Sequence, residues 1–239
     1  MLEREPLLPD REPWTPAASF VLLISILGWL ALTGMILHVA GPLLRAFLPH
    51  AVIARWGSPV TFVVLEAVWL LLLRRHHRRR GVKPLWQGAE LRSPVTWLLL
   101  LGAVSLCVGT SLLRFRLAEG SFGGGAAGLA SLGPVQWGPS LMVLAAGAGL
   151  APVTEEWLFR GILQEALTRR WGPWLSIPVT SLAFGALHGL ASMWVVAAYG
   201  LVLGYLAHRR HSLTVPIIVH ALINLLAMSI PLLLALFNS

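Results

Sequence analysis

With 239 residues, 56% of them hydrophobic, only 12% charged and a mean hydropathy of +0.75, the chain does not have water as its main solvent; a soluble domain carries roughly a quarter charged residues. The net charge of +8 does not point to nucleic acid, because the basic residues stand in short loops beside apolar runs and form no basic face or known module. The single cysteine, Cys107, lies inside an apolar run, which excludes an intrachain disulfide framework.

Residues 1–16 form a polar tail that mixes acidic and basic side chains with Pro6, Pro9, Pro13 and Pro16. The run Ala17 to Ala40 is longer than a signal-peptide core and follows an acidic start, so it reads as a retained first span ending at Gly41-Pro42. Further spans are predicted at Pro59 to Leu73, Pro94 to Leu113, Gly138 to Leu167, Trp174 to Leu190, Ser192 to Ala207 and Leu213 to Phe237. Several of these approach or exceed the roughly 18 to 20 residues that an α-helix needs to cross a bilayer. The stretch Gly138 to Leu167 would be about 45 Å long at 1.5 Å per residue and contains Pro152. It is either one tilted, kinked helix or two shorter ones. The expected fold is all-α, a polytopic integral membrane helical bundle of about seven to eight transmembrane helices, with residues 17–239 as the transmembrane domain.

Basic loops set the expected orientation. Arg74 to Arg80, Arg169-Arg170 and Arg209-Arg210 share one side if the stretch Gly138 to Leu167 crosses once, and that side should be cytoplasmic, at a bacterial plasma membrane. Histidines 76, 77, 208 and 211 belong to these loops and read as solvated. The loop Glu119 to Gly133, with Gly123-Gly124-Gly125, reads as a flexible linker, since no Lys-Ser/Thr or strand follows to make a phosphate cradle.

Chemistry concentrates in the last third. Of the ten acidic residues, Glu155 and Glu156 stand together inside an apolar stretch, where an ionised side chain costs roughly 2.5 to 3.5 kcal/mol at a helix centre. On a helix Glu156 and Arg160 are at i and i+4, so Glu156 has a counter-ion, while Glu155 points about 100° away and is freer. Downstream, Phe184 and His188 lie in the next apolar run, and His220 and Asn224 share one face of the last span. Counted along each helix from the basic ends, Glu155, His188 and His220 fall within one layer of the membrane, so one polar cavity could hold them.

The set Glu155-Glu156-x3-Arg160, Phe184-x3-His188 and His220-x3-Asn224 resembles the CPBP or Abi family of intramembrane endopeptidases, which includes CAAX prenyl proteases and bacteriocin-processing proteins. The resemblance covers residues 139–230. It implies hydrolysis of a peptide bond in a CAAX-type tail, a leader peptide or a membrane-protein substrate. It also implies that Glu155 and His188 activate a water and that His220 and Asn224 stabilise the oxyanion, with Glu156, Arg160 and Phe184 in support.

No cofactor is required by this scheme. A zinc-dependent alternative would make Glu155, His188 and His220 the metal ligands, since three N/O ligands and a water form the usual catalytic set. A second alternative is a proton-coupled transporter or membrane scaffold, although the paired broken helices of transporters are not evident. Glu66, in the second span, lies outside the motif pattern and reads as structural or cavity-lining.

Overall fold

The structure is a computed structural model that describes residues 49–79, 93–117, 137–190 and 192–237. The polar tail, the run Ala17 to Ala40 and the Gly-rich loop lie outside the described residues. Among the described residues the fold is all helical, with α1 His50–Arg79, α2 Pro94–Leu117, α3 Trp137–Trp171, α4 Pro173–Ala186, α5 Met193–Arg210 and α6 Thr214–Phe237.

Apolar composition makes these helices, and their surfaces are inside out relative to a soluble protein. Within α1, Arg55–Arg75 is long and apolar enough to cross a membrane, yet only 11% of its most apolar window is buried. Val60, Val64, Leu71 and Leu72 on α1, Trp97 and Leu98 on α2, and Trp174 and Trp194 on the later helices all face outward. Contiguous apolar surface of this kind is unfavourable in water and suits a lipid environment. The span expected from Pro59 extends upstream to His50, because Pro59 is accommodated inside the helix rather than at its start.

Of the two readings of the long central stretch, the single helix holds: α3 runs unbroken for 35 residues and is also apolar and long enough to cross. It passes Pro152 by widening rather than breaking. Two π segments, Ala146–Leu150 and Trp157–Gln164, flank the short α-helical piece Ala151–Glu156, with Pro152 in that piece's first turn. A π turn shifts the hydrogen-bond register by one residue, absorbs a missing donor, and re-aims the side chains that follow.

Contacts fix the directions of the helices. Gly138 lies against Trp56, Gly147 against Phe62, and Thr154 bonds Glu66, so α1 and α3 run parallel. Helix α4 returns beside α3 and α5 runs back again, which brings Arg74, Arg75, Arg169, Arg170, Arg209 and Arg210 to one end. His208, in the last turn of α5, is half-buried rather than fully solvated. Burial, then neighbouring His211, lowers its pKa below the usual imidazole value, while Glu165 of α3 opposes that shift from close by.

Helix α4 has only 14 residues, about 21 Å, and ends at Ala186. His188 therefore lies in a turn beyond the helix and not within a continuous span, which corrects the expected run Trp174 to Leu190. The turn is closed by bonds from His188 N–H to the Gly185 carbonyl and from Gly189 N–H to the Ala186 carbonyl, with Gly189 at φ 80°. Helix α5 presses so closely on α4 here that a Cβ on Gly185 would stand 2.3 Å from the Met193 carbonyl oxygen.

Helix α6 completes the core. Val215, Val219 and Ile223 pack with Leu203 and Leu206 of α5 and Leu100 of α2, while Leu213 and Ile217 pack on Ala207 and lean on Val153 and Trp157 of α3.

Since the Gly185 clash is with backbone, Gly185→Ala must separate α4 from α5. The expected loss of stability is about 1 to 3 kcal/mol, read as a lower melting temperature of the detergent-purified full chain. An unchanged melting temperature would contradict this packing.

Candidate active site

The site forms where the short piece Ala151–Glu156 of α3 meets α6. Glu156 is fully buried; its Oε1 lies 3.1 Å from Arg160 Nη1 and 2.8 Å from His220 Nδ1. Arg160, also buried, donates from Nη2 to the Gly200 carbonyl of α5 at 3.2 Å, and its guanidinium lies 4.5 Å from the centre of the Phe184 ring. Withdrawing such charges from water costs several kcal/mol per ion unless partners replace the lost hydration. One anion here is met by a guanidinium and an imidazole, and the guanidinium by a carbonyl and an aromatic face.

Glu155 differs from its neighbour. Its side chain is 26% exposed, and its Oε2 faces His220 Nε2 at 3.6 Å, too long for a hydrogen bond. The imidazole of His220 is thus held at Nδ1 by one carboxylate and faces the second with Nε2.

Phe184, buried on α4, joins the parts. Its ring meets His188 edge-on at 4.8 Å, His220 at 5.7 Å and Phe159 at 5.1 Å. With Leu163 and Leu167 these two phenylalanines form a small core cluster. His188 Nδ1 lies 2.9 Å from the Phe184 carbonyl oxygen, which orients the ring and leaves Nε2 available. Among the described contacts, His188 is linked to the site through Phe184, and Glu155 is met by His220.

Asn224 does not share an acceptor with His220. Its Nδ2 donates to the Gly147 carbonyl at 2.7 Å, in the first π segment of α3. An amide nitrogen carries two hydrogens, so the second remains free and is aimed by the first.

The residue that motif reading left outside the site is Glu66. Thr154, immediately before Glu155, donates its hydroxyl to Glu66 Oε2, and Glu66 stands close enough to Glu155 and His220 for their charges to interact. An isolated acid inside an apolar run was the available signal; its partner 88 residues away was not readable. The alternative zinc set, Glu155, His188 and His220, is not gathered into a three-donor cluster among the described residues.

Residues 136–226 match the family model described as type II CAAX prenyl endopeptidase Rce1-like. Over this segment the chain is similar to that family of proteases. It contains all three motif pairs, in agreement with the resemblance read from them. No curated protein and no solved structure matches the chain.

The inequality of the two glutamates is testable by stability alone. Glu156→Gln leaves Arg160 buried without its anion and should cost about 3 to 5 kcal/mol, whereas Glu155→Gln, at a partly exposed position, should cost about 1 kcal/mol or less. Thermal melts of both variants check this, and equal melting temperatures would contradict it.

Proposed function

We propose that the chain is an intramembrane endopeptidase of the CAAX type that uses Glu155 as general base, at a plasma membrane and with its site reached from the cytoplasmic side. The observation that carries this reading is the division of labour between adjacent carboxylates. Glu156 is committed to Arg160 and His220, while Glu155 is partly exposed and faces an imidazole. The family match over residues 136–226 supplies the reaction class.

In the proposed cycle a water between Glu155 and the scissile carbonyl loses a proton to the carboxylate as its oxygen attacks the carbonyl carbon. His188, held at Nδ1 by the Phe184 carbonyl, would orient that water through Nε2. The carbonyl oxygen gains negative charge and takes hydrogen bonds from the free Asn224 N–H and from His220. In its doubly protonated form His220 donates at Nδ1 to Glu156 and presents Nε2–H to the oxyanion. Collapse breaks the C–N bond, and the proton held by Glu155 passes to the leaving amine. Donors fixed by Glu156 and by the Gly147 carbonyl need little reorganisation as charge develops.

The shared end of the basic residues supports the cytoplasmic orientation through the positive-inside rule. The substrate class follows the family: a peptide ending in a CAAX-type tail, presented at the lipid boundary.

Asn224→Ala should lower kcat by roughly 100- to 1000-fold, the usual effect of removing one oxyanion donor, with KM little changed. The assay is cleavage of an internally quenched farnesylated CAAX peptide by the detergent-solubilised full chain, with Glu155→Gln as the inactive control. Normal turnover with a raised KM would make Asn224 a substrate-binding residue, and retained cleavage in Glu155→Gln would overturn the mechanism.

A further inference from the structure

The Ala151–Glu156 piece carries both glutamates, and π segments on each side free its rotational setting from the rest of α3. A π turn is a weak constraint, because its hydrogen-bond geometry is poorer and its register less defined than that of an α turn. The setting of this piece must then come from neighbouring helices. One anchor is already described: Glu156 bonds His220 of α6.

The opposite anchor lies outside the matched segment 136–226. Thr154 donates its hydroxyl to Glu66 Oε2 of α1, although the carbonyls of Ala151 at 3.0 Å and Leu150 at 3.3 Å compete for the same single hydrogen. A carboxylate is the stronger acceptor, so the contact to α1 prevails. The bond is worth making only if it does something, since α1 places most of its surface outward and an acid within such a helix is costly. Trp56 against Gly138 and Phe62 against Gly147 already supply close apolar contact between the two helices.

We infer that Glu66 is a positioning residue of the active site: through Thr154 it fixes the turn that aims Glu155 and Glu156, while α6 fixes the same turn from the other side. Glu66 need not touch substrate. The groups that interact with it are Thr154 and Glu155 of α3 and His220 of α6, so a small rotation of the piece moves the base relative to its imidazole. This inference deepens the proteolytic reading and rests on it for its kinetic consequence, but its structural consequence is independent.

Four variants of the full chain in detergent decide it. Glu66→Leu and Thr154→Val remove the bond, whereas Glu66→Gln and Thr154→Ser keep an acceptor or a hydroxyl. In the folded protein the first two should lower kcat for the farnesylated CAAX peptide by about 10- to 100-fold, as a displaced catalytic group does, with KM within about twofold. The conservative pair should restore most of that loss. Hydrogen–deuterium exchange over residues 146–164 should quicken in Glu66→Leu and Thr154→Val only.

Wild-type kcat and unchanged exchange in Glu66→Leu would overturn the inference. So would a loss in Glu66→Gln as deep as in Glu66→Leu, which would assign the effect to charge instead of the bond. If wild-type protein fails to cleave the peptide, the proteolytic reading fails while the exchange comparison still decides the anchoring role.

Discussion

A carboxylate and a guanidinium withdrawn from water constrain everything around them. Glu156 and Arg160 are buried almost completely, one turn apart on α3, and each needs partners that a lipid-facing helix cannot supply alone. The remaining partners come from three other helices: His220 from α6, the Gly200 carbonyl from α5 and the Phe184 ring from α4. The bundle is held in register by the need to satisfy this pair. Its stability and the placement of the candidate base therefore share one cause.

The π segments of α3 make that arrangement possible. An uninterrupted α-helix would keep one angular register from Ala146 to Gln164. Widening on both sides of Ala151–Glu156 lets Gly147 offer its carbonyl to Asn224 while Thr154, Glu155 and Glu156 address α1 and α6. The cost is a segment whose orientation depends on tertiary contacts. Irregular backbone of this kind at membrane depth is tolerated where it is buried in protein or lines a cavity.

Much of this was legible from the residues. The i, i+4 spacing of Glu156 and Arg160 already pairs them and leaves Glu155 freer, and the structure agrees. The apolar runs give the helices, and the basic loops give the common end. Other features depended on contacts between distant segments. His188 reads as a mid-helix residue because Gly185-Ala-Leu-His188 is mostly apolar; the helix instead closes in a turn with Gly189 in the left-handed region, beside the close crossing of α5 over Gly185. The Asn224 bond to Gly147 needs a carbonyl in a π segment, which no periodicity announces. Glu66 stood apart because its partner is a hydroxyl on another helix, next to the motif but not in it.

Glu155 is the proposed base of peptide hydrolysis, at a site that Glu156, Arg160 and His220 hold in place. The most direct test compares protein termini in membrane fractions of cells carrying either the wild-type chain or Glu155→Gln at matched abundance. The expected result is a set of new termini, enriched near C-terminal CAAX-type sequences, present with the wild-type chain and lost with Glu155→Gln. Identical termini in the two cell populations would contradict it.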